Sequence, residues 1–126
     1  MLMELHHKKL LVYTVSLDIV EECYRLTKLL PVDERFNLVS QLRRACLSIS
    51  MNIAEGSSRG TQKERKRYFE VARGSLVEVD TALTVCVRLK YLKEEQLRKL
   101  LPLMNHEFNM LSKMISTLAK QSDSEK

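Results

Sequence analysis

Three histidines, three cysteines and sixteen carboxylates are the raw material for chemistry in this chain, and their spacing assembles little of it. Glu4 and His7 have the Glu-x-x-His spacing of a di-metal bundle, but they stand ahead of the first helical pattern. His106-Glu107 is followed by Met110 where a zinc-binding helix needs its second imidazole. Cys23, Cys46 and Cys86 lie far apart, with no C-x-x-C spacing. That argues against a zinc knuckle or a disulfide framework, and for small core residues in a reducing, cytoplasmic setting. Neither a Walker-type loop nor a Gly-rich nucleophile elbow occurs. We therefore expect no catalytic residue, no metal and no cofactor.

Polar residues with a pattern occur in the middle of the chain. At about 100° per residue on a helix, Gln41, Arg44, Ser48 and Glu55 fall within about 60° of one another, with Asn52 at the edge of the apolar face. Glu78 falls between Val71, Val85 and Leu89 on its own wheel, which predicts partial burial. Such a stripe could bind a small polar ligand. The reading we prefer is an interhelical network in which Arg44 neutralises Glu55 or Glu78 while Gln41 and Asn52 satisfy neighbouring groups, because buried charges must be paired.

Two further clusters point to partners. Arg59, Lys63, Arg65, Lys66 and Arg67, interrupted by Glu64, are extended by Arg73 and Arg88. Together with the free amides of a helix start near Thr61, they offer phosphate a place to bind, so RNA is a candidate partner. A plain solvated face is the alternative, since Glu70 and Asp80 dilute the charge and only Tyr68 and Phe69 supply the stacking rings of a single-strand platform. Phe36, Leu47, Met51 and Ala54 project opposite the Leu38-Leu42-Ile49 seam, and Leu100, Leu103, Met110 and Met114 widen the last apolar stripe. That much apolar surface predicts self-association.

The elements that must position these groups are helices. The chain has 126 residues with only three glycines and two prolines, enough for one domain and poor in turn formers. Its formal charge is +5, which permits a polyanion partner without demanding one. No signal peptide and no apolar run long enough to span a membrane is expected. Periodicity predicts four helices, over about 10–30, 33–56, 61–90 and 94–121, with a polar tail over 122–126. In the first, Leu10, Tyr13, Leu17, Val20 and Tyr24 form the stripe, widened by Val12, Val15, Ile19, Cys23 and Leu26. Asp33 is a candidate N-cap and Gly56 a candidate left-handed C-cap for the second. Thr61-Gln62-Lys63-Glu64 is a capping box opening the third, which runs through Phe69, Ala72, Leu76, Val79, Leu83 and Cys86. Leu97, Leu101, Met104, Phe108, Leu111, Ile115 and Leu118 mark the fourth, with Pro102 bending it or marking its start. The expected fold is all-α, an antiparallel up-down-up-down four-helix bundle in one domain over 1–126.

The segments Ser40-Gln41-Leu42-Arg43-Arg44-Ala45, Asn52-Ile53-Ala54-Glu55-Gly56 and Ala72-Arg73-Gly74-Ser75, with Ser48, Glu64, Tyr68-Phe69 and Glu78 between and after them, carry a resemblance. Over about residues 10 to 120 the chain resembles the 23S rRNA intervening-sequence proteins. It departs from them at Ser50 and Met51, where members often carry proline, and at Tyr13, where they often carry tryptophan. The resemblance implies a cytoplasmic bacterial four-helix bundle assembling as a homopentamer, without assigned catalysis. Related bundles are accessory proteins of diversity-generating retroelements, which makes RNA and a reverse transcriptase the implied partners. The carried-over positions are Gln41, Arg44, Asn52, Glu55, Gly56, Gly74, Ser75 and Glu78. Gly74 costs a mid-helix position about 1 kcal/mol against alanine, which suggests a close helix approach or a subunit contact there.

Overall fold

In the computed structural model, which describes residues 2–124, four helices follow one another: α1 (Leu11–Thr27), α2 (Leu38–Ser58), α3 (Gln62–Arg88) and α4 (Leu100–Ser124). Short 3-10 turns at His6–Lys9, Val32–Glu34 and Glu94–Leu97 precede α1, α2 and α4. No strand occurs among the described residues, and the fold is an all-α four-helix bundle. Each helix packs on the next, and α4 closes the ring onto α1. The polar tail expected over 122–126 is still helical as far as Ser124, and Glu125 and Lys126 lie outside the described residues.

Local chemistry sets the helix ends. Thr61 caps α3, its hydroxyl accepting from the Glu64 N–H at 3.2 Å. The second helix starts five residues later than Asp33 suggested. Pro31 holds an extended backbone, and three-residue-reach hydrogen bonds from Glu34 to Pro31, Arg35 to Val32 and Asn37 to Glu34 wind a 3-10 turn first. Glu34 then receives the Leu38 N–H at 3.4 Å, so that carboxylate, rather than Asp33, meets the start of α2. At the far end of α3 the Lys90 N–H bonds the Val87 carbonyl and the Tyr91 N–H bonds the Cys86 carbonyl, a Schellman closure with Lys90 at φ 65°. Gly56 is not a C-cap: it lies inside α2 with negative φ. Its role is room, because a Cβ there would sit 2.8 Å from Phe69 Cε1 and 2.9 Å from Tyr68 Cβ.

Apolar burial selects one line on each helix. On α1 the buried line is Val12, Val15, Ile19, Cys23 and Leu26, while Leu17, expected in the stripe, is exposed. On α4 it is Leu100, Met104, Glu107, Leu111 and Ile115, so Leu101 and Phe108 turn outward and the expected seam is displaced by one residue in its first half. That displacement carries a carboxylate into the core. Leu103, Met110 and Met114 pack against the same core, so the width of the α4 stripe is spent inside the chain and not on a partner. Hydroxyls pin the register across the middle of the bundle. Ser50 donates to Ser16 at 2.8 Å, joining α2 to α1, and Ser75 donates to Ser48 at 2.8 Å, joining α3 to α2.

Candidate functional site

The basic stretch is divided by the fold. Arg59, just after α2, forms an ion pair with Glu55, and its guanidinium lies 4.9 Å from the Tyr68 ring centre. Arg65 donates from Nε to the Arg59 carbonyl at 2.8 Å and sits at the bundle end beside Phe69. Arg73 donates from Nη1 to Ser112 Oγ at 3.2 Å and covers the Phe108 ring at 5.8 Å, tying α3 to α4. Three of the six cations are thus committed to structure. Lys63 and Arg67, exposed, and Lys66, half-buried, remain at the start of α3, in no ion pair among the described residues. Lys63 and Arg67 are one turn apart and Lys66 lies beside them, next to the free first-turn amides of a helix capped by Thr61. The geometry suits a phosphate backbone, with Glu70 one turn further along ending the positive face.

The polar stripe does not form the expected interhelical charge network within the chain. Gln41, Arg44, Glu55 and Glu78 are all exposed, and Glu55 pairs with Arg59 instead of Arg44. What does form is smaller and neutral: Asn52 Nδ2 donates to the Ser48 carbonyl at 2.8 Å and to its hydroxyl at 3.0 Å, and Ser48 Oγ accepts from Ser75. Arg44, Leu47, Ser48, Met51, Asn52 and Glu55 line an open groove of about 580 Å³ on the outside of α2. Charged groups border its floor without closing over it.

Several apolar side chains named from the sequence do face outward: Phe36 is 89% exposed, Met51 68% and Leu47 40%. The Arg35 guanidinium stacks 5.5 Å over the Phe36 ring. Gly74 makes no close approach inside the chain, since a Cβ there meets nothing within 4 Å. It lies instead on an outward line of α3 made by Val71, Gly74, Glu78, Val85 and Leu89, all exposed. The helical spacing places Glu78 among those apolar residues and predicts its partial burial, but within the chain that face is exposed.

Two features escaped the sequence reading. Glu107 is fully buried at 0% exposure, and neither of its carboxylate oxygens finds a hydrogen-bond partner among the described residues. Burial pushes its carboxyl up to about 8, so it is mostly neutral at pH 7. Its position three residues after Met104 and four before Leu111 was the available signal. The second is Glu22, buried on α1, which accepts from Arg25 Nη2 at 2.9 Å and pairs at 3.7 Å with Lys99, just ahead of α4. The Arg25 hydrogen bond holds its carboxyl below the ordinary range.

Among the described residues no group of three or more His, Cys, Asp or Glu could hold a metal ion, and no helix is long and apolar enough to cross a membrane. All three cysteines are buried free thiols.

Comparison with known proteins yields no match among curated proteins. A solved structure from Bacteroides thetaiotaomicron, described as a protein of unknown function from the S23 ribosomal protein family, superposes with a TM-score of 0.76 at 23% identity, over 83% of this chain and 98% of that one. At that identity the likeness speaks for the fold, and the solved protein's own role is unknown. The family model described as 23S rRNA-intervening sequence protein matches residues 8–113, which takes in all of α1, α2 and α3 and the first half of α4. The chain belongs to the 23S rRNA-intervening sequence protein family.

Proposed function

We propose that the protein is a non-enzymatic, self-assembling bundle that binds structured RNA through Lys63, Lys66 and Arg67. The observation that carries this reading is the set of three cations at the start of α3, Lys63 and Arg67 exposed and Lys66 half-buried, left without ion-pair partners among the described residues while Arg59, Arg65 and Arg73 are held by the fold. A surface with little stacking aromatic area and concentrated positive charge suits backbone phosphates better than splayed bases. Binding to a ribosomal RNA fragment should weaken with salt at a slope of about −2 to −3 for three cations, from about −0.7 to −0.9 per phosphate neutralised. Lys66→Glu with Arg67→Glu should remove most of it. Salt-independent binding, or a double variant that binds as well as the parent, refutes the proposal.

Self-assembly rests on the outward line of α3 and the groove on α2. Val71, Val85 and Leu89 with Leu47 and Met51 form apolar surface crossed by Arg44, Glu55 and Glu78, and Gly74 leaves space for a neighbour's backbone. A second copy would supply the burial and charge pairing that the stripe lacks within one chain. A closed ring is the expected arrangement, a homopentamer in a cytoplasmic setting, and light scattering on the full chain tests it. A clean monomer defeats this part of the proposal. Phe36, at the corner before α2 and almost fully exposed, favours a second reading in which the bundle also docks a protein such as a reverse transcriptase. Phe36→Ser should abolish such co-purification and leave the subunit count unchanged.

A further inference from the structure

We propose that the pocket at the end of the bundle, where the His6–Lys9 turn, the end of α2, the start of α3 and the second half of α4 meet, binds a medium-chain carboxylate. The cavity has a volume of about 450 Å³. Its walls are Leu10, Phe69, Met114 and Leu118, a continuous apolar surface contributed by three different elements, and its exposed surface is overwhelmingly apolar. His6, Arg65 and Lys113 stand around it, and no carboxylate lines it. Sites for small ligands combine this kind of apolar wall with a few convergent polar groups.

The charge pattern selects the ligand. A neutral hydrophobe would fill the walls but leave three basic groups unused, and a cation would face Arg65 and Lys113 across a low-dielectric surface. An anion with an apolar body satisfies both. Arg65 is already aimed by its Nε bond to the Arg59 carbonyl, which leaves the two terminal nitrogens of the guanidinium for a bidentate carboxylate. Lys113 forms no ion pair among the described residues. An unbranched chain suits walls made largely of Leu and Met side chains, which adapt their shape to what they enclose. This site is distinct from the proposed RNA face: Arg65 lines the pocket at the bundle end, whereas Lys66 and Arg67 do not line it.

Calorimetric titration of the full chain with decanoate, octanoate and decanol tests the assignment. Decanoate should bind saturably, one per chain. Octanoate should bind about fifteenfold more weakly, at about fourfold per methylene lost. Decanol should bind at least about tenfold more weakly, for want of the charge-assisted contacts. Arg65→Gln with Lys113→Gln should erase the preference for decanoate over decanol while circular dichroism stays unchanged, because both side chains are exposed at the rim. Lys66→Glu with Arg67→Glu should leave decanoate binding intact. Absence of saturable decanoate binding, equal affinity for decanol, or a preference that survives the Arg65 and Lys113 substitutions overturns the proposal.

Discussion

Replacing Glu107 with leucine should stabilise the bundle, and by an amount that grows with pH. The carboxyl is fully buried without a hydrogen-bond partner among the described residues, and burial raises it from 4.5 to about 8. A carboxyl raised in the folded state binds its proton more tightly there than in the unfolded chain. Its contribution is therefore most favourable below about pH 4.5, declines as pH rises, and is lost above about pH 8. At about 1.36 kcal/mol per pH unit, the folded protein gives up about 3 kcal/mol between acid and pH 7, and about 5 kcal/mol by the time Glu107 ionises in place. Leucine fills a similar volume and has nothing to titrate, so Glu107→Leu should recover that loss at neutral pH. Glu22 titrates in the opposite sense. Its lowered carboxyl contributes stability above about 4.5 and loses it at lower pH, outside the Glu107 window. Urea unfolding followed by circular dichroism at about pH 5 and about pH 8, at one protein concentration because assembly also stabilises, measures the difference between parent and variant. The reasoning requires that difference to widen by about 3 to 4 kcal/mol from the lower pH to the higher. A constant difference, or a variant less stable at both, refutes it.

Gly56→Ala should destabilise by about 1 to 2 kcal/mol by urea titration despite alanine's better helix propensity, because the new methyl would press on Phe69 and on the Tyr68 Cβ, which the α3 backbone holds in place. Gly74→Ala, with nothing within 4 Å, should stabilise the isolated chain by up to about 1 kcal/mol, whereas Gly74→Trp should lower the assembled mass by light scattering if that line meets another copy. Lys90→Gly should raise stability by about 1 kcal/mol, since the left-handed φ of 65° is strained for lysine and free for glycine; no gain would mean the loop relaxes at no cost. The three thiols should be inert to a disulfide reagent in the native protein and react together on unfolding, because all are buried; the hydrogen bond to Cys46 and then burial push Cys23 up and burial pushes Cys86 up, while Cys46, held down by its hydrogen bond with Cys23, is protected by burial alone. Rapid reaction of any one in native buffer would contradict the packing.

Periodicity carried the architecture because burial in a bundle demands a repeating stripe, and on α3 the line from Phe69 to Cys86 is the line that is buried. It misjudged the phase on α4, where a glutamate at a core position made the neighbouring line through Leu101 and Phe108 look the better seam. Helix starts were legible where a side chain caps, as at Thr61, and not where a proline-led 3-10 turn delays the helix, as before Leu38. Lys90 gave no sign of its left-handed backbone because glycine is the usual marker there. Charge clusters were legible as composition only. Which cations stay free depends on three-dimensional partners such as Ser112 for Arg73 and Tyr68 for Arg59, which lie 39 and nine residues away along the chain.

The third helix carries two apolar lines, and that is where the unfinished part of the molecule lies. Phe69, Ala72, Leu76, Val79, Leu83 and Cys86 are consumed by the bundle, so a single chain has used the burial that folds it. Val71, Val85 and Leu89, with Gly74 and Glu78 on the same line, repeat at helical spacing on the other side and face solvent. A solvated helix face has no need of such a repeat, and Arg44, Glu55 and Glu78 beside it are charges of both signs, suited to pairing across the interface with the next copy in the proposed ring. The proposed assembly gives the motif residues that resemble the family a physical task they lack within one chain. It would also multiply Lys63, Lys66 and Arg67, at the start of the same helix, by the number of copies, so that the proposed three-phosphate contact, weak in one chain, would become strong through avidity alone. A monomeric variant, made by charging Val71 and Val85, should therefore lose far more RNA affinity than the loss of two valines can explain. If the monomer binds RNA as tightly as the assembly, the link between the two surfaces is wrong.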